Sequence, residues 1–138
     1  MTTQSKFFLV AIAAYALIAS IPSWAEARPA ELSVKTLQLA RGVEGRQPVE
    51  PNTEFSADGE RVYAYVCLAN SGATTQVRVI WQRGEKVFHR TTLKVGHAKS
   101  WRSWAYIRAM PHLVGEWQVL VQSLEGDELA RKRFVIER

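Results

Sequence analysis

The sequence predicts an all-β domain, a small immunoglobulin-like or fibronectin-like antiparallel β-sandwich of about seven strands, placed after an N-terminal signal helix. Three observations carry this: short apolar segments alternate with period two, glycine- or asparagine-containing turns separate them, and the mature part shows no apolar stripe at helical spacing. About 110 residues remain after a signal is removed, enough for one core without disulfides or metals.

The first element is the signal. Residues 1–6 carry Lys6 and no acid, Phe7 to Ile21 is an apolar run, and Pro22 ends it. The run is shorter than the roughly 20 apolar residues of a spanning helix. Ser23-Trp24-Ala25 and Ala25-Glu26-Ala27 both offer small residues for cleavage. The expected division is therefore 1–27 as signal peptide and 28–138 as the β-sandwich domain, with a retained membrane anchor as the competing outcome. Cleavage leaves no stable membrane span and a periplasmic or secreted product. No cysteine follows the apolar run, which argues against a lipid anchor.

Leu32 to Ala40 alternates imperfectly and is a first strand. Gly42, Gly45, Pro48, Pro51 and Asn52 then predict a long irregular connection up to Asp58-Gly59. From Arg61, Val62, Ala64, Val66 and Leu68 alternate with Tyr63, Tyr65 and Cys67, so both faces of this strand are expected to be partly covered. Asn70-Ser71-Gly72 turns the chain into Gln76 to Gln82, on which Val77, Val79 and Trp81 share a side and Trp81 is the expected core tryptophan. Arg83-Gly84-Glu85 is a hairpin loop with Val87 to Val95 as the return strand. Gly96 breaks the pattern, Trp101 to Ile107 resumes it, and Met110-Pro111-His112 interrupts before the alternation of Trp117, Val119 and Val121. Glu125-Gly126-Asp127 leads to the last strand, Leu129 to Ile136, whose Arg131-Lys132-Arg133 suggests an edge guarded by charge.

The chain has 18 Lys+Arg against 13 Asp+Glu, a formal charge of +5, and loss of Lys6 with the signal leaves +4. That balance suits anionic polymers or membrane surfaces, and is equally ordinary for an exported protein. Outside Arg131 to Arg133 the basic charge is too dispersed for nucleic-acid recognition, so no nucleic acid is expected as a partner. Cys67, the only cysteine, cannot form an internal disulfide; its place in an apolar run predicts a buried free thiol, and the alternative is an intermolecular bridge.

Catalytic apparatus is not visible. His89, His97 and His112 neither pair at ligand spacing nor adjoin an acidic cluster, so neither a metal nor another cofactor is expected. There is no Gly-x-Ser-x-Gly elbow, and Cys67 sits in mid-strand. Acids such as Glu116, Glu125, Asp127 and Glu128 gather near turns, where solvated charge explains them; a glycosidase pair would have to be assembled by the fold from acids distant in sequence.

The segment from Ser100 to Arg108 is the most distinctive. Alternation puts Trp101, Ser103, Ala105 and Ile107 on one face and Arg102, Trp104, Tyr106 and Arg108 on the other. The second set interleaves rings, which stack on sugars, with guanidinium groups, which hold carboxylate or phosphate through paired hydrogen bonds. Two arrangements satisfy this pattern: an open binding face, or rings packed inward with arginine stems covering an edge.

These residues resemble a bacterial family, domain of unknown function 2914. The similarity rests on Val62-Tyr63-Ala64-Tyr65, on Trp81 before Gly84, on Trp101-Arg102-Ser103-Trp104, and on Gly115-Glu116-Trp117-Gln118-Val119 before Gly126, and runs from about Val34 to Val135. The resemblance implies a histidine two positions before the hairpin tryptophan and a serine after the Trp-Arg block; Val79 and Ala105 stand there, so a polar role at those places is not carried over. It implies the fold and export and brings no activity.

The expected function is that of an exported, non-catalytic binding or accessory module of the bacterial envelope, with Arg102, Trp104, Tyr106 and Arg108 contacting an anionic glycan or an envelope protein. The alternative is a structural partner that adds a strand edge to an envelope assembly. A hydrolase acting on envelope polymers would need polar groups converging in a cleft.

Overall fold

A computed structural model describes residues 31–138; the expected signal peptide lies outside the described residues. These residues form a two-sheet, all-β sandwich, as the alternation predicts, with nine strands instead of seven. The strands are β1 (Leu32–Glu44), β2 (Gln47–Pro51), β3 (Glu54–Ser56), β4 (Arg61–Asn70), β5 (Thr75–Arg83), β6 (Lys86–Val95), β7 (Ala98–Arg108), β8 (Gly115–Ser123) and β9 (Glu128–Glu137). One sheet has the order β2-β1-β4-β7 and the other β3-β9-β8-β5-β6. Among the described residues no helix is long and apolar enough to cross a membrane; a single 3-10 turn spans Pro111–Leu113.

The two extra strands replace the irregular connection expected between Ala40 and Gly59. β1 continues to Glu44 and returns as β2, with Gly42 opposite Val49 and Glu44 opposite Gln47. Gly45 and Arg46 are the two residues of the turn and both have positive φ, 55° and 59°, the combination whose twist matches a two-residue hairpin. Pro48 and Pro51 are tolerated because β2 is an edge strand, where a missing N–H costs no ladder bond. β3 then crosses to the other sheet and runs parallel to β9, so that sheet is mixed where a purely antiparallel one was expected.

The core lies between the sheets. Val62, Ala64, Val66 and Leu68 of β4 face Val77, Val79 and Trp81 of β5 and Trp117, Val119 and Val121 of β8, all buried. Trp81 is fully buried, with Phe134 edge-on to it at 5.8 Å between ring centroids. Trp117 stacks on Phe134 at 6.0 Å and donates its Nε1 hydrogen to the Leu113 carbonyl, 2.8 Å away, which ties the 3-10 turn to the base of the core. Asn70, also buried, closes one end: its Nδ2 faces the carbonyls of Ala73, Gly96 and Val95, and its Oδ1 accepts from the Gly72 N–H.

Cys67 is a free thiol, but it is half-buried on the outer face of the four-stranded sheet, not in the core. The even-numbered residues of β4 point inward, which leaves Cys67 outside with Tyr63 and Tyr65. Arg131-Lys132-Arg133 lies on an uncovered stretch, since β3 reaches only Val135 to Glu137 of β9.

Candidate binding face

β7 is the edge of the four-stranded sheet, paired on one side with β4 alone. The register sets Arg102 opposite Cys67, Trp104 opposite Tyr65, Tyr106 opposite Tyr63 and Arg108 opposite Arg61. Directly opposed residues in an antiparallel pair share a face. Ala105 and Ile107 are buried under the other sheet, so their even-numbered neighbours must point to solvent. Trp104 is 38% exposed and Tyr106 45%, which excludes a core position for either ring. The four residues expected to form a contact face stand side by side on the outer surface.

The adjacent strand completes that surface. The Tyr63 and Tyr106 rings lie 5.4 Å apart at 45°, and the Arg61 guanidinium sits over the Tyr106 ring, 4.5 Å from its centroid. Arg61 also donates from Nη1 to the Tyr63 hydroxyl at 3.2 Å. That bond, reinforced by the fields of Tyr106 and Tyr63, raises the guanidinium pKa above its ordinary value, so Arg61 stays cationic at any physiological pH. Arg108 donates to the Gly59 carbonyl at 3.2 Å, which steadies the lower end of the face. Among the described residues no carboxylate lies within ion-pair distance of Arg102 or Arg108; the pairs are Arg41 with Glu50 and Glu60, and Arg131 with Glu128.

The β1–β2 hairpin supplies an overhanging wall. β1 is in register with β4 up to Ala40 opposite Tyr63, and Arg46 is six residues further on. A straight strand would carry Arg46 roughly 20 Å past Tyr63, at about 3.3 Å per residue. Instead the Arg46 carbonyl accepts the Tyr65 hydroxyl hydrogen at 2.9 Å, so the hairpin bends back over the outer face. Tyr65 and Ala40, both on that face, are buried by it. Between the hairpin tip and β7 a cleft of about 360 Å³ is lined by Arg46, Ser100, Trp101, Arg102 and Trp104. Lys35, from the bulge in β1, donates to the Ser100 hydroxyl at 2.7 Å beside it. An indole flanked by two guanidinium groups can stack on a sugar ring while holding a carboxylate or phosphate.

Sequence alternation identifies the β7 face but not Arg61, Tyr63 or Arg46. Tyr63 carried a usable signal, since it shares a side with Tyr65 and Cys67 on a strand rich in aromatics. Arg46 carried none, because its place depends on the bend of a hairpin that its own prolines and glycines disguise.

A larger cavity, about 540 Å³, opens near the start of β8, where Thr53, Glu54, Glu116, Gln118 and Arg133 are among its lining residues. Glu54 and Glu116 are both in register with Val135, one on each side of it. Among the described residues the polar groups lining this cavity are Thr53, Glu54, Glu116, Gln118 and Arg133, with no histidine, serine or cysteine. Among the described residues no group of three or more His, Cys, Asp or Glu side chains could hold a metal ion.

β5 to β9 include the hairpin with Trp81 and Gly84, the Trp101 to Trp104 block on the exposed edge, and the Gly115-Glu116-Trp117 start of β8. Residues 74–136 match the model of DUF2914, a protein of unknown function. Three of the four motifs behind the expected resemblance fall inside the DUF2914 match, and Val62 to Tyr65 falls before it. The match takes in all of the β7 face, whereas β1 to β4, with Arg46, Arg61 and Tyr63, lie outside it. Val79 and Ala105, the places where the resemblance implies polar residues, are both buried and apolar. The DUF2914 description assigns no activity. No curated protein matches the chain.

Proposed function

We propose that this chain is an exported, non-catalytic binding module, periplasmic or secreted, that takes an anionic glycan or an acidic envelope protein on the outer face of its four-stranded sheet. One observation carries the reading: Arg102, Trp104, Tyr106 and Arg108 are exposed together, and the Arg46 hairpin turns the Arg102 and Trp104 end into a cleft. Exposed rings cost solvation that a core position would recover, and a ligand that stacks on them recovers it instead. The strand order β1-β4-β7 against β6-β5-β8-β9 supports the immunoglobulin-like or fibronectin-like reading of the sandwich, a scaffold on which recognition is placed at faces and loops.

Retention of the purified processed protein on isolated peptidoglycan and on envelope extract tests the proposal. Trp104→Ala and Arg102→Glu should each reduce retention by roughly ten-fold or more, in line with the loss of about 1.4 kcal/mol or more from an anchoring contact. Both residues are exposed, so thermal melts of the variants should overlay the parent. Unchanged retention in both variants would exclude this face.

A further inference from the structure

We infer that the free edge of β7 accepts an extended acidic segment of another protein as an added strand, distinct from any ligand resting on the face. The backbone hydrogen-bond pattern shows which groups are open. The Ala109 N–H donates to the Glu60 carbonyl and the Ala109 carbonyl accepts from Gly59, so Ala109 points its polar backbone at the β4 side. Antiparallel pairing alternates this direction residue by residue. Ile107, Ala105 and Ser103 therefore also turn toward β4, and Arg102, Trp104, Tyr106 and Arg108 turn their N–H and C=O groups away from it, to the open edge, where the Arg108 carbonyl already accepts from the Met110 N–H at 3.1 Å and the Arg108 N–H stays open. The residues that present the face also present the unpaired backbone.

The other edges are blunted. β2 is five residues long with Pro48 and Pro51; β3 has three residues, and the stretch of β9 beyond it carries Arg131, Lys132 and Arg133 in succession. β6 is interrupted by a bulge at Phe88, since Trp81 pairs with His89 and Gln82 with Val87, and it carries Lys86, His89, Arg90 and Lys94. β7 has a register shift of its own against β4, between Ala98 and Trp101, but from Trp101 to Arg108 its pairing is continuous, with neither proline nor glycine.

Charge selects the occupant. Neither β6 nor β7 contains an acid, so an edge from a second copy would bring cation against cation, which is unfavourable for directly opposed pairs. An incoming strand instead meets Arg, aromatic, aromatic, Arg at every second position. The complementary strand carries acid, apolar or aromatic, apolar or aromatic, acid at the same spacing, and because this order is nearly palindromic it suits either strand direction.

The probe is a fluorescein-labelled peptide, Glu-Thr-Val-Thr-Tyr-Thr-Glu, titrated into the processed protein, with amide hydrogen exchange read by NMR. Binding should protect the amides of Arg102, Trp104, Tyr106 and Arg108 and leave those of Ser103, Ala105 and Ile107, already bonded to β4, unchanged. A Lys-for-Glu peptide should bind roughly ten-fold more weakly, from two pairs changed from attraction to repulsion. A peptide N-methylated at the edge-facing positions, with its charge intact, should lose binding by at least a similar factor. Trp104→Pro removes an outward N–H without touching the β4 ladder and should abolish peptide binding while the melt stays cooperative, whereas Trp104→Ala, which loses the same ring but keeps the N–H, should retain a measurable part of it. If the N-methylated peptide binds as well as the parent, the anion is held on the face alone and the edge is not used. No binding at 1 mM peptide, or protection of the same four amides by dimerisation without peptide, also overturns the inference.

Discussion

Asn70 shows how one polar side chain organises an end of the sandwich. Its amide serves the turn after β4 through Gly72 and Ala73 and the crossing from β6 to β7 through Val95 and Gly96, with the side chain itself buried. Asn70→Ala would leave buried carbonyls and an N–H without partners, at about 1 kcal/mol or more each, so a loss of roughly 2–3 kcal/mol is expected in urea unfolding followed by tryptophan fluorescence. A loss below about 0.5 kcal/mol would mean that water enters and replaces the amide. Asn70 reads in the sequence only as a turn residue, because its partners at Val95 and Gly96 are 25 and 26 positions away. The same distance problem hides the stack of Arg61, Tyr63 and Tyr106: Arg61 and Tyr63 are neighbours on one face of β4, but Tyr106 meets them only through the β4–β7 register.

At the level of elements, β4 to β9 were legible because each has period-two apolar residues ending at a strong turn. The structure moves their boundaries by only one to three residues, as with Gln76 to Gln82 becoming Thr75–Arg83. β1 to β3 were only partly legible, for a physical reason: Gly45, Pro48 and Pro51 are breakers in a central strand but acceptable in a tight hairpin and on an edge. The two faces of β7 could be read directly, since Ala105 and Ile107 are inward and the four candidate residues outward. Their open exposure could not, because it depends on how much of the outer face of the four-stranded sheet is left uncovered by the rest of the chain. The hairpin offers its own test. Arg46→Gly removes the guanidinium from the cleft and eases the positive φ, so stability should change by less than about 1 kcal/mol. Retention on the anionic target should nevertheless fall several-fold, whereas equal loss of stability and binding would show the hairpin to be a structural brace only.

The whole molecule carries its excess positive charge on both outer surfaces: Arg61, Arg102 and Arg108 on one sheet, Arg78, Arg90 and Arg133 on the other. All these side chains are open to solvent or partly so, and their attraction for an anionic target is screened over about 10 Å at 0.1 M salt. Raising NaCl from about 50 to 500 mM should therefore weaken retention several-fold, and the remainder that survives high salt measures stacking on Trp104 and Tyr106. A salt-independent affinity would point to apolar contacts alone. The bent β1–β2 hairpin has a consequence for how such a module diversifies. It is anchored to the sheet beneath by the Tyr65 hydroxyl and otherwise stands apart from the core, so residues can be inserted at its tip without disturbing a single inward-facing side chain. For a ligand held as proposed, hairpin length sets the size of the guest that fits beneath it while the β7 floor stays the same.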